Sequence, residues 1–317
     1  MKKNWKYSLC WLVLLIAGFY LINTLIMFGV IDDFIENMLV TIGINIILAT
    51  GLNLIIGFSG QFSLGHAGFM AIGAYTTAVI TQHITSELGF ILSVLVGMVL
   101  ASVIAAVIGT ATFTRLKGDY LAIATLGAAE IIRNVINNLK ITGGSAGMFN
   151  IPQLCSWPTV YLLVCLTTIV LTNFIRSLDG RAIKAVREDE LAAEAMGINT
   201  TKWKLAAFVI GGATAAIAGS LSASYVQTIS PSNFGIMESI SILVIVVLGG
   251  VGSMTGTILA AIVLGVLDTI LQNFGALRMV IYAIVLIVMM IFKPSGLLGN
   301  WEFSLKNIGH FGRQERG

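Results

Sequence analysis

The sequence predicts an all-α polytopic membrane protein. It has about ten transmembrane helices, some of them short or broken, with both termini on the cytoplasmic side. Three observations support this. First, 57% of the residues are hydrophobic and only 10% are charged, against about 25% in a soluble domain, and the mean hydropathy is +0.94. So little polar surface cannot cover a body in water. Second, apolar runs of about 20 residues recur along the chain, the length a helix needs to cross a bilayer. They lack period-two alternation, and an open sheet edge cannot face lipid. Third, Lys and Arg gather on one side of the spans so defined.

The first run, 8–29, follows "MKKNWKY". It is too long for the apolar core of a signal peptide, about 7–15 residues, and no A-x-A-like site follows, so it reads as an uncleaved first span. The next nine runs are 37–57, 66–82, 90–113, 120–139, 158–176, 204–225, 237–250, 255–272 and 277–292. The third, fifth, eighth and tenth are short or carry polar residues. With the N-terminus inside, inner segments hold Lys2, Lys3, Lys6, Arg115, Lys117, Arg176, Arg181, Lys184, Arg187, Lys202, Lys204, Lys293, Lys306, Arg313 and Arg316. The outer side keeps Lys140 and Arg278, with Arg133 at the margin, and carries Asp32, Asp33, Glu36 and Glu87. This is a positive-inside distribution, and a single miscounted span would reverse every later loop. The chain forms one membrane domain, 1–317.

The largest inner segment, 177–203, contains "RAIKAVREDELAAEAMGI" (181–198). Asp179 can cap a helix start and Gly197 is a natural stop. Ala182, Ala185, Ala192, Ala193 and Ala195 favour helix between them. Glu188 or Asp189 can divide the segment in two, and Asn199 or Thr200 can cap the next span. One reading is a solvated connector. The other is a helix that docks into a cytoplasmic partner's groove and passes motion to the flanking spans.

The polar stretches inside or between spans come next. "GFSGQFSLGHAGF" (57–69) brings Gln61, Ser63 and His66 near membrane depth. It is either a turn of small packing residues or a broken segment lining a cavity. "GGVGSMTG" (249–256), with Gly250 and Gly252, has no lysine after its glycines and lies between spans, so it is not a phosphate-binding loop. Glu130 can pair with Arg133 one turn later, and Asp268 with Arg278 across a short outer turn. Glu238 starts the eighth span at the outer interface. Gly212, Ala216, Ser220 and Ser224 make a small face on the seventh. The outer loop 140–158 can receive an external partner or simply connect. Cys10, Cys155 and Cys165 form no ligand cluster and read as small apolar residues.

"LAAEAMG" resembles the EAA-x3-G coupling loop of ABC importer permeases, with Leu191 where the motif has Glu and without its later I-x-L-P element. Further blocks extend the likeness from about residue 38 to 299: "GLNLIIGFSGQFSLGHAGFMAIGAY" (51–75), "KGDYLAIATLGAAEIIR" (117–133), "TGGSAG" (142–147), "VLGGVGSMTGTILAA" (247–261) and "KPSGLLG" (293–299). Together they resemble the membrane subunits of branched-chain amino acid ABC importers, of the LivM type more than the LivH type. Urea and short-chain amide permeases share much of the pattern.

The resemblance implies half of a translocation pathway in the bacterial inner membrane. The implied partners are a homologous second permease subunit, two cytoplasmic ATP-binding subunits and an extracytoplasmic solute-binding protein. It assigns coupling to Arg181, Lys184, Arg187, Glu190, Ala192, Ala193, Glu194 and Gly197. Gln61, Ser63, His66, Glu130, Gly250 and Gly252 are left as pathway or packing residues. It implies no cofactor, metal or nucleic acid. Two other classes compete with it. A self-sufficient channel or secondary transporter would want an ion site at the midplane. A membrane enzyme would want a nucleophile–base pair or metal-ligand spacing, and the sequence displays neither.

Overall fold

The fold is that of a computed structural model. It describes residues 4–29, 31–113, 116, 118–271 and, beyond these, 280, 281, 283, 284, 287, 291, 293 and 296–299. The helices are α1 (Asn4–Met27), α2 (Asp33–Asn53), α3 (His66–His83), α4 (Glu87–Phe113), α5 (Asp119–Asn138), α6 (Trp157–Arg176), α7 (Leu178–Glu188), α8 (Glu190–Ala195), α9 (Thr200–Val226), α10 (Ile236–Gly249) and α11 (Met254–Leu271). A π-helical turn, Leu54–Phe58, prolongs α2, and 3-10 turns lie at Lys140–Thr142, Gly144–Ala146 and Pro231–Phe234. Among the described residues the extended structure is one isolated bridge, Met148 with Ile229.

The first nine expected spans coincide with helices. The tenth, 277–292, lies largely outside the described residues, as does Arg278, the expected partner of Asp268. Five helical segments are long and apolar enough to cross a membrane unaided: Asp33–Phe58, Glu87–Phe113, Trp157–Arg176, Thr200–Val226 and Met254–Leu271. The 14-residue α10 is too short for that, and α3 and α5 are too polar. These are three of the spans whose sequences look short or polar.

Helix α9 is the hub, packed by α2, α3 and α4. Lipid tails are as apolar as leucine, so membrane helices associate through close packing of small residues. Gly73 of α3 lies so near α9 that a Cβ there would stand 2.6 Å from the Ala216 Cα. Ser220 adds a hydrogen bond from its Oγ to the Gly73 carbonyl, 3.2 Å. Gly212 meets Ala105 and Phe69, and Ser224 donates to the Pro152 carbonyl at 3.1 Å and accepts from the Leu154 N–H at 3.0 Å. The small face of the seventh span is therefore a packing face. Edge-on stacking of Phe69 and Phe113 on Phe208, with centroids 5.4 and 5.2 Å away, fills the layer below it.

Two helices begin inside the bundle. Segment 59–65 turns back after the π-helical end of α2, so α3 starts at His66, beside Leu48 of α2. On the opposite side, 227–235 folds inward past α3, where Phe234 packs on Tyr75, centroids 6.0 Å apart. Helix α10 follows from Ile236. The first turns meet: the Ala67 N–H donates to Ser239 Oγ at 3.1 Å. Glu238, in the first turn of α10, therefore lies next to the first turn of α3.

Candidate coupling site

The segment after α6 folds as two short helices with an elbow at Asp189. Ser177, not Asp179, caps α7: its Oγ accepts from the Gly180 N–H at 3.2 Å. Asp189 ends α7 in an extended conformation and caps α8 by accepting from the Ala192 N–H at 3.0 Å. Helix α8 stops in a Schellman arrangement. The Ile198 N–H donates to the Ala193 carbonyl and the Gly197 N–H to the Glu194 carbonyl, 3.0 and 2.9 Å, with Gly197 at φ +84°. Asn199 then caps α9, accepting from the Lys202 N–H at 2.9 Å.

Most of the residues expected to couple to a partner also touch their own chain at this elbow. Glu190 pairs with Lys204 of α9 at 2.7 Å, and Glu194 accepts from Thr200 Oγ1 at 2.8 Å. Lys184 lies over the Phe58 ring, 5.3 Å from its centroid. Arg187 donates from Nη1 to the Gly57 carbonyl at 2.6 Å. Ile183 is buried in a small cluster with Leu54, Phe58, Leu171, Ile175, Ala207 and Met254, and Val186 is buried too. Ala193 is only 4% exposed and faces inward. Arg181, Ala192 and Gly197 are exposed, and so are Lys184, Arg187 and Glu194 beside the contacts they make. Large apolar groups that sequence reasoning did not select accompany them: Leu191, 77% exposed, and Met196, 83% exposed. The available signal was Leu191 itself, an apolar residue standing where the motif carries Glu.

Under the elbow lies a second structure. The Asn53 side chain accepts from the Gly252 N–H at 2.9 Å and donates to the Ser253 carbonyl at 3.0 Å and to Thr257 Oγ1 at 2.8 Å. It clamps the end of α2 to the α10–α11 turn. Glycine is required at both facing positions. A Cβ on Gly57 would stand 2.9 Å from the Gly252 Cα, and one on Gly252, at φ +91°, would stand 2.6 Å from Arg187 Nη1. Gly250 holds the same turn at φ +108°. Gly252 precedes α11, and within α11 Gly256 and Gly265 pack on α10 and α2.

The other candidates are scattered. Gln61 and His66 are buried, 3% and 1% exposed, and their polar side-chain atoms have no hydrogen-bond partner among the described residues. The Leu48 carbonyl lies close to the His66 ring without hydrogen-bond geometry. Ser63 accepts from the Gly65 N–H at 3.4 Å. Glu130 forms an intrahelical pair with Arg133, 2.6 Å, on α5. The structure joins Arg187, Gly57 and Gly252 at one point, and places Gln61, Ser63 and His66 deeper and Glu130 apart.

Sequence comparison agrees with this architecture. A family model described as branched-chain amino acid transport system / permease component matches residues 34–292. The high-affinity branched-chain amino acid transport system permease protein LivM of Salmonella typhimurium is 37% identical over 262 residues, 72% of this chain and 61% of that protein. LivM of Escherichia coli K12 is 37% identical over 280 residues, 77% and 65%. LivH of Salmonella typhimurium is 30% identical over 201 residues, 62% and 63%. The matches thus span less than two thirds of the length of each of these three relatives. With its apolar helices and the match over 34–292, the chain is an integral membrane protein and belongs to the family of permease components of branched-chain amino acid transport systems.

Proposed function

We propose that this chain is a membrane-spanning permease subunit of an ABC importer for the branched-chain amino acids leucine, isoleucine and valine. It forms half of the pathway beside a homologous second permease subunit. Two cytoplasmic ATP-binding subunits drive it, and an extracytoplasmic solute-binding protein supplies it. The chain makes ten spans in a bacterial inner membrane, with both termini and the 177–203 segment in the cytoplasm. Family membership and the positive-inside charge distribution support this reading.

One observation carries the coupling assignment. Helix α8 offers Leu191 and Met196 outward, while Glu190 and Glu194 fix its rotation against α9. Large apolar side chains on a rigid, outward helix suit a groove in a partner. An ATP-binding subunit cannot enter the bilayer, so the permease extends a handle to it. When the nucleotide-binding subunits close, the handle moves, the permease subunits rock against each other and the pathway changes its open side. This chain has no G-x-x-x-x-G-K-[ST] loop and leaves hydrolysis to its partners.

The test is leucine uptake by proteoliposomes carrying the complete complex. It should require ATP inside, the solute-binding protein outside and this chain in the membrane. Uptake that persists without the ATP-binding subunits would make the chain a self-sufficient transporter. Reporter fusions after Lys117, Lys202 and Lys293 should read cytoplasmic, and an external reading at any of them breaks the topology from that point.

A further inference from the structure

We propose that Arg187 is a positioning residue: a strut that carries movement of the coupling elbow sideways into the joined ends of α2, α10 and α11. The inference rests on the coupling reading above and adds a second route to the covalent one through α9.

The strut's seat is specific. The Arg187 side chain is 35% exposed. Its stem lies along Gly60, where a Cβ would stand 3.2 Å from Arg187 Cγ. Its Nη1 meets the Gly57 carbonyl at 2.6 Å, and Gly252 closes the far side. The seat is open because three positions from two distant segments, 57, 60 and 252, lack a side chain.

The anchor is also rigid. Gly57 lies in the π-helical turn, whose ladder runs from the Ser59 N–H to the Leu54 carbonyl, 3.1 Å. π-turns are local departures that accompany functional sites. Asn53 fastens that turn to Gly252, Ser253 and Thr257. The end of α10, on the other side of the clamp, is held in turn by Leu297, whose N–H donates to the Leu248 carbonyl at 2.7 Å. Beyond Gly57 the chain turns back through 59–65 to the deep start of α3, so a push on Gly57 reaches residues well inside the bundle. A guanidinium suits this task because its planar fork is always charged and is fixed in direction.

A partner contact and a strut predict different losses. The variants are Arg187→Met, which keeps the stem along Gly60, and Arg187→Lys, which keeps one donor. Each is made in the complete complex, reconstituted with its solute-binding protein and assayed with radiolabelled leucine. Three quantities are read: copurification of the ATP-binding subunits, ATP hydrolysis, and leucine moved per ATP. The strut predicts normal copurification, sustained hydrolysis and at least a tenfold fall in leucine per ATP for Arg187→Met, with Arg187→Lys in between. A purely structural role would lower uptake and hydrolysis together and leave their ratio unchanged, which overturns the proposal. Lost copurification would make Arg187 a docking contact and also overturns it. If Arg187→Met fails to accumulate, the ratio for Arg187→Lys decides: a wild-type ratio refutes the strut. Failure of the wild-type complex to take up leucine would be a failure of the function proposed above, not of the strut.

Discussion

The Ala67 N–H donates to Ser239 Oγ, 3.1 Å away, in the interior of a bundle of apolar helices. A helix start leaves backbone N–H groups without partners, and inside a membrane protein water does not supply them. Ser239 answers one of them from the first turn of α10. Ser239→Ala should leave that N–H unpaired, at about 1–3 kcal/mol. The check is the thermal midpoint of the purified chain in detergent, which should fall. An unchanged midpoint would mean that the two first turns do not depend on each other.

Asn53 presents an acceptor to the Gly252 N–H and two donors to Ser253 and Thr257. That pattern fixes the orientation of its amide. Asn53→Ala should cost about 1–3 kcal/mol through unpaired buried groups. Asn53→Asp should cost more, because a carboxylate oxygen would face the Ser253 carbonyl where a donor stood, and the site is buried. Thermal midpoints in the order wild type, Ala, Asp are expected. An Asp variant as stable as the Ala variant would contradict the clamp.

Leu191 and Ala193 sit two residues apart and face opposite ways. Leu191→Asp should leave the isolated chain's stability within about 0.5 kcal/mol, as surface changes usually do, while it strips away the ATP-binding subunits. Ala193→Trp should destabilise the isolated chain by about 1–3 kcal/mol through overpacking, before any partner is present. Thermal melts of the chain alone, set beside copurification, separate the two. A Trp variant that melts normally would place Ala193 on the outward face after all.

Cys155 lies in the loop between α5 and α6, 2% exposed, and burial pushes its thiol up to about 12. Thiol reagents need the thiolate, so at pH 8 almost none of the reactive form is present. A membrane-impermeant maleimide should leave Cys155 unlabelled in intact membranes and label it after SDS. Equal rates in the two conditions would show that the loop is open.

The spans were legible because each is a run of local signals, about 20 apolar residues between charged or glycine-rich breaks. The elbow was partly legible for the same reason, through its alanines, a break at Glu188 or Asp189 and the stop at Gly197, although its first cap is Ser177 and not the expected Asp179. The facing of its side chains was not. A six-residue helix takes its rotation from what holds its ends, and here those are Lys204 and Thr200, on another helix. Asn53 gave no signal at all, since its partners are some 200 residues away. The limits of α3 and α10 were nearly right in sequence, but their depth depends on how 59–65 and 227–235 fold back, and both look like ordinary connectors.

If α9 turns about its close contact with Gly73 at Ala216, it acts as a lever. Its 27 residues form one unbroken rod of about 40 Å. Ala216 stands about 24 Å from the end braced to the coupling elbow and about 14 Å from Tyr225 at the other, at 1.5 Å per residue. There the Tyr225 hydroxyl donates to Asn37 Oδ1 at 2.6 Å. With the pivot held, a shift of about 2 Å at the base arrives at Tyr225 as about 1 Å in the opposite direction. Pushing the base one way therefore draws the far end the other way, which a bundle hinged at its edge would not do.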